Sequence, residues 1–445
     1  MPSLSSKIAQ DTAQRFSRNG LQAANKQMAK VADKAISQAS SAMGRDVFKK
    51  TAAKADDAMV YFAEHPHVIR VAHNPTVIPT AAEAAKMDKE MTVGLKRAVE
   101  EMKNLTSEEQ ATYRSLGQMM QGRVDGQLAL QQLLLDGKLT VGSVADPKRN
   151  LITALGDLSK QDLAPGIDRT NLLAEIHQEL ADPIAVSQEH KGTCAATSSA
   201  QILWSIKQPV DYLDYVRGLA SPEGAAKLPN GEVMHRAPDW RAGNDRIPGK
   251  QLKPGEARNE GRTISSKLVQ PTFMQGGIGD QYVYNNTLDK GVSATQANKV
   301  VDEGGLTDEQ SARLMSKIFQ GENFTIIYHS PQELKDALEA TPKEAWDGER
   351  IAMTKDKMME SLRGSATPED PVRVSVDYEL SGGHAILVTG FKDEVTKLPN
   401  RKTPVTVEHT QYINPWGRLE SMPSDSFKLM LDSIISNGGT VPVKV

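Results

Sequence analysis

The C-terminal third of the chain constrains the fold more than any other feature. PVRVSVDYEL (371–380) alternates apolar and polar residues, HAILVTGF (384–391) is rich in strand formers, and TPVTVEHTQYIN (403–414) alternates again. Period-two alternation puts every second side chain on one face, so each stretch predicts a strand. Upstream the pattern is helical: LTDEQSARLMSKIF (306–319) and SPQELKDALEA (330–340) read as helices. Thr307 with Gln310 makes a capping box, and Ser330 is an N-cap with Pro331 at the first helical position. Helices followed by antiparallel strands predict an α+β fold.

Nearer the N-terminus, prolines divide the chain. Residues 1–64 read as interrupted helix with a thin apolar stripe, Leu4 with Ile8 and Met28 with Val31. Pro66, Pro75 and Pro79 predict a linker over 65–80. Residues 81–180 predict a small helical domain, with Thr106 and Glu109 as a capping box and GQLALQQLLLDGKL as an apolar helix. A further domain is expected over 181–445. Within it, residues 221–272 carry Pro222, Pro229, Pro238, Pro248 and Pro254, which predicts a long loop that shapes a cleft rather than forming core. GGIGD (276–280) lacks the strand–helix context and the lysine of a phosphate loop, and is expected to be a flexible cleft wall.

Composition narrows the function classes. Hydrophobic residues at 39% and charged residues at 24% predict a folded, soluble chain. A single cysteine excludes an internal disulfide, which fits a reducing compartment or an export route independent of oxidative folding. The start, MPSLSSKIAQDTAQRF, has no apolar core of a Sec signal, and no apolar run approaches a membrane span. A cytoplasmic location, or export by a dedicated machine from a bacterium into another cell, is therefore expected. Residues 1–55 hold ten basic and three acidic side chains, although the whole chain carries a net charge of −3. Such an arm is either a solvated face or a contact for a membrane surface or export machinery. It has only Phe16 and Phe48 as aromatics, which disfavours nucleic acid as a partner.

The lone cysteine sits in QEHKGTCAATSSAQ (188–201), where a helix from Cys194 to Ile206 is expected to end before Pro209. Backbone N–H groups at a helix start favour a thiolate. A thiol nucleophile also needs a base, and a third group to orient that base. SGGHAILVTGF supplies His384 after Gly382 and Gly383, which leave room for close approach of a backbone or substrate. YINPWG supplies Asn414, with Trp416 two residues on. Asn414 can accept from one ring nitrogen of His384 and leave the other for Cys194. The Cys194 N–H and the Gln188 side-chain amide are candidate donors to an oxyanion.

These segments resemble the papain-like cysteine peptidases, with the bacterial and calpain-type branches nearest. Gln188 stands six residues before Cys194, His384–Ala385 follows glycine at a strand start, and Asn414–Gly417 reads NPWG; the order Gln, Cys, His, Asn matches. The resemblance implies a papain-like catalytic domain over 181–445 in which Trp416 shields the Asn–His bond. It implies a protein or peptide substrate, an acyl–thioenzyme intermediate, and no metal or organic cofactor. It departs from the family where Ala195 and Ala196 replace the usual aromatic after the cysteine, and in the segment between Cys194 and His384. Deamidases, transglutaminase-like enzymes and acyltransferases share the fold and intermediate, and a catalytically dead interaction protein is a further alternative.

Each residue also has a plainer reading. Cys194 could be a small buried hydrophobe, His384 a strand-end histidine, and Asn414 a turn former before Pro415. His190 is an alternative base only by nearness in sequence. His65, His67 and His73 lack the acidic or thiol partners of a metal site, so linker histidines are expected.

Overall fold

The computed structural model describes residues 67–189, 191–241, 261–279, 282–293, 300–302, 305–340, 348–378, 382–396 and 403–437. The N-terminal arm (1–64), His65 and His190 lie outside the described residues.

The chain is a mixed α+β protein. The N-terminal layer is built of α1 (Ala81–Glu101), α2 (Ser107–Met119), α3 (Val124–Leu135), α4 (Leu151–Lys160) and α5 (Arg169–Ala181). Both ends of the expected Thr106–Glu109 capping box are made, and Thr80 with Glu83 closes a second one at the start of α1. A π-helical turn, Ala196–Ile202, runs into α6 (Leu203–Lys207), and then comes α7 (Pro209–Ala220). After a two-strand ribbon of β2 (Ala225–Lys227) and β3 (Val233–His235) comes α8 (Ile264–Ile278). A small three-stranded sheet holds β4 (Tyr282–Asn285), β5 (Lys290–Ser293) and β6 (Val300–Asp302).

The main sheet contains β7 (Phe324–Tyr328), β8 (Glu349–Ala352), β9 (Val372–Tyr378), β10 (Gly382–Thr396), β11 (Val405–Asn414), β12 (Arg418–Pro423), β13 (Leu431–Asn437) and, from the far N-terminal side, β1 (His67–Val71). The order is β1-β12-β11-β10-β9-β13-β7-β8, antiparallel except for β7 with β8. Four more helices flank it: α9 (Asp308–Ile318), α10 (Pro331–Ala340), α11 (Lys355–Ser365) and α12 (Ser424–Met430). The three C-terminal strands, the capping box at Thr307 and the Ser330 cap on Glu333 N–H are as the pattern predicts.

Alternation divides the sheet's two faces. Val372, Val374 and Val376 of β9, with Ile386 and Val388 of β10, pack on Met358, Met359 and Leu362 of α11 and Phe427 of α12. Leu387, Ile413 and Ile435 face the other way, into the large core shared with the helical layer. That core runs from Ala98 through α3, α5, α7 and α8 to the sheet, so the helical layer of residues 81–180 and the sheet are buried against one continuous apolar interior. Among the described residues no helix is long and apolar enough to cross a membrane.

Three expectations are corrected. Residues 67–71 are not linker. The prolines bracket a β-branched run, HVIRV, whose backbone pairs with β12, and Arg70 reaches Asp182 at 2.9 Å. Nor is 221–272 one long loop, since β2, β3 and the first half of α8 fall inside it. Thr263 caps α8 by accepting from Ser266 N–H, and Glu175 accepts from Ile264 N–H. Pro271 inside this helix costs about 3 kcal/mol. Burial of Leu268, Val269, Phe273 and Met274 at about 1.5–3 kcal/mol each outweighs that. Finally, Gly276 and Gly277 end α8 rather than forming a flexible wall. A Cβ at Gly277 would stand 2.7 Å from the end of the Leu306 side chain, so glycine there lets that side chain pack against the helix.

Candidate active site

Helical backbone begins at Cys194, as the sequence predicts. At the first residue of a helix the N–H has no intrahelical acceptor and points outward. The next seven residues after Ala195, Ala196–Ile202, form a π turn lined by small side chains. Single π turns recur at functional positions because they re-aim the residues beside them. Ser198 Oγ donates to the Cys194 carbonyl at 2.8 Å, and Thr193 Oγ1 donates to Gln270 Oε1 of α8 at 3.0 Å. Cys194 as a residue is half-buried.

The base comes from the sheet. Register pairs Leu387 with Ile413, and His384 and Asn414 lie just beyond that pair, on the same side of it, on the neighbouring antiparallel strands β10 and β11. His384 Nε2–H donates to Asn414 Oδ1 at 3.1 Å. An amide oxygen can only accept, so this bond places the proton on Nε2 and leaves Nδ1 for the thiol. The Trp416 ring stacks on His384, with centroids 4.6 Å apart and planes at 22°. Asn414 is 1% exposed and His384 6%. Gly417 closes the turn at φ 74°, a left-handed conformation that a side chain would strain. Gly383 serves no close backbone approach, because a Cβ there would meet nothing within 4 Å. The space beside it is open.

Gln188 is tied to the same turn. Its backbone N–H donates to Pro415 O at 2.7 Å, and Ser187 bridges Trp416. Its side-chain Nε2 donates to Lys191 O at 2.9 Å, while Oε1 is buried without a partner among the described residues. That carbonyl bond fixes which end of the amide is nitrogen, and among the described residues one of its two N–H groups is uncommitted. Glu189 comes next at φ 51°, an uncommon conformation for a residue with a side chain.

Electrostatics favour charge separation between thiol and ring. Burial pushes the Cys194 thiol up, but the hydrogen bond and charge of His384, the Ala385 backbone N–H and the Arg373 charge pull it below the ordinary thiol range. Burial pushes His384 down, but Cys194, the Asn414 bond and the Glu420 charge together hold it above its ordinary value. The two side chains are thus in hydrogen-bond contact, each stabilising the other's ionised form.

Several contributors to the site carried no sequence signal. The β4–β5 turn clamps the loop ahead of the thiol: Gly192 N–H donates to Asp289 Oδ2 at 2.6 Å, and Lys191 Nζ to Asn286 O at 2.6 Å. Arg373, 2% exposed, crosses from β9 to the π turn. It donates to Ser199 Oγ at 3.2 Å and to Asp308 Oδ1 at 2.6 Å. Glu420 Oε2 accepts from Asn414 Nδ2 at 3.1 Å. Only the last lies near a recognised motif, six residues after Asn414 in sequence. Of the three histidines near the N-terminus, His73 approaches Asp125 at 3.9 Å as part of the helical layer.

No protein family, curated protein or solved structure matches the chain.

Proposed function

We propose that this chain is a papain-like thiol hydrolase, a cysteine peptidase acting through an acyl–thioenzyme intermediate. One observation carries the reading. Three segments separated by 190 and 30 residues in sequence converge so that the only thiol contacts an imidazole whose far nitrogen is held by a buried amide. In this mechanism Cys194 Sγ, held as thiolate, attacks a substrate carbonyl. His384 Nδ1–H passes its proton to the leaving group, then takes one from the water that attacks the thioester. Asn414 keeps the ring aimed, and Trp416 covers the Asn–His bond from water. The Cys194 N–H and the uncommitted Gln188 N–H are the donors assigned to the developing oxyanion. The open space beside Gly383 leaves room for a protein or peptide substrate. No step calls for a metal or organic cofactor.

The test is product analysis by mass spectrometry after incubation with a peptide library and with host-cell protein, using Cys194→Ala as control. Cleaved amide bonds that vanish with Cys194→Ala are expected. Conversion of side-chain amides to acids, or new cross-links or acyl groups, would reassign the chain to deamidation or transfer on the same site. No change of any kind dependent on Cys194 would remove the enzyme reading.

A further inference from the structure

We propose that Glu420 is a positioning residue that sets which end of the Asn414 amide faces His384. This rests on the reading of Cys194, His384 and Asn414 as a working triad. An asparagine amide has two ends of nearly equal size and opposite polarity. Only one orientation, with Oδ1 toward the ring, lets Asn414 accept from His384 Nε2–H. The flipped orientation would set an N–H against an N–H. Something on the far side of the amide must therefore choose between them.

Glu420 is placed to choose. It stands on β12 opposite Tyr412, two residues from Asn414 along β11, on the strand that pairs with Asn414 itself through Arg418. Its Oε2 accepts from Asn414 Nδ2 at 3.1 Å, and His384 Nε2 lies 3.1 Å from Oδ1 at the other end. A carboxylate has no proton to give, so it accepts the N–H₂ end and rejects the carbonyl end. The result is a chain of four side chains from thiol to carboxylate. The charged groups acting on the ring are Cys194 from the thiol helix and Glu420 from β12, with Arg418 Nη1 at 3.9 Å from Glu420 Oε1, and Arg373 from β9 acts on the thiol. The Glu420 side chain is 14% exposed, so its charge is only partly screened.

The experiment needs no substrate. The rate of Cys194 alkylation by iodoacetamide is measured against pH for wild type, Glu420→Gln and Glu420→Asp, alongside thermal melting. Wild type is expected to react well below the pH of a free thiol. Glu420→Gln can present either end of its own amide, so Asn414 is free to flip and the imidazolium loses support. The acid limb should move up by about half a pH unit, a roughly threefold loss of alkylation rate on that limb, at a melting temperature within a few degrees of wild type. Glu420→Asp keeps an acceptor-only group one methylene further away and should fall between the two. A wild-type profile like that of a free thiol would sink the triad reading and this proposal with it. A normal wild-type profile that Glu420→Gln leaves in place would overturn this proposal alone. If Glu420→Gln fails to fold, Glu420→Asp decides, and an unshifted limb overturns the assignment.

Discussion

On the proposed function, Asn414→Ala should separate catalysis from folding. The substitution deletes the acceptor for His384 Nε2–H at 3.1 Å and the donor to Glu420 at 3.1 Å, from a side chain 1% exposed. Once the ring carries a second proton, the lost bond is one to a charged group, which contributes about 1.5–3 kcal/mol. At about 1.4 kcal/mol per factor of ten, turnover should fall roughly ten- to hundredfold. Cys194→Ala removes the covalent route altogether and should fall further, to background. Unpairing the two partners costs the fold about 1–3 kcal/mol, a melting shift of only several degrees in a chain this size. The assay pairs turnover of a recovered peptide substrate, per mole of folded enzyme, with calorimetric melting. Activity kept within about twofold of wild type in the folded fraction, with melting lowered, would reduce Asn414 to a turn former before Pro415 and refute the orientation argument.

Gln188→Ala should lower kcat by about 10²–10³ with little change in KM, as loss of one oxyanion donor does; steady-state kinetics on the same substrate checks this. Asp308→Ala strands Arg373, which is buried, and should cost about 3–5 kcal/mol in urea unfolding, while Asp308→Asn costs less. Burial pushes Glu175 up to about 8 and Glu179 up to about 7. The native chain then holds protons that free glutamates release at lower pH. This stability is complete below the ordinary glutamate range and is lost as pH rises through about 7–8. Melting temperature should therefore drop from about pH 6 to 9, and Glu175→Gln, which still accepts from Ile264 N–H, should flatten the drop.

Legibility followed the range of the interaction. The C-terminal strands were readable because alternation records burial on one face, and Val372, Val374 and Val376 do share a core. Capping boxes at Thr106 and Thr307 were readable because both partners lie within one helical turn. Cys194, His384, Asn414 and Trp416 were singled out because thiol catalysis would need those residue types in that order, and the structure brings the four side chains together. Residues 67–71 misled because three prolines drew attention from the β-branched run between Pro66 and Pro75. Residues 264–272 misled because the proline-rich stretch from Pro222 to Pro254 was extended over a helix that Thr263 caps and that buries Leu268 and Val269. Asp289, Arg373 and Asp308 could not be found, since a salt bridge or a carboxylate on a backbone N–H leaves no spacing rule when its partner is 65 to 97 residues away.

Those long-range contacts bear on how the site keeps its geometry. The thiol sits at the start of the helical segment that runs through the π turn and the imidazole on the sheet, so their separation depends on how that segment and the sheet register. Apolar packing alone tolerates small slides between layers. Arg373 removes that freedom. Its Nε holds Ser199 on the π turn, five residues after the thiol, and its Nη1 holds Asp308, which also accepts from Ser375 and Ser433. Ser375 pairs across the sheet with Ala385, whose N–H supports the Cys194 sulfur. A single buried ion pair with hydroxyl partners on three elements thus fixes both halves of the site to one frame. The second tie lies at the sheet edge. There Val71 of β1 pairs with Arg418, and Ala72 N–H just past the strand donates to Gly417 O at 3.0 Å, so this segment pins the turn that carries Asn414 and Trp416. Removing β1 should therefore loosen the orienting amide before it disturbs the thiol helix. Deletion of residues 67–71 with turnover unchanged would show that the turn holds its shape without that strand.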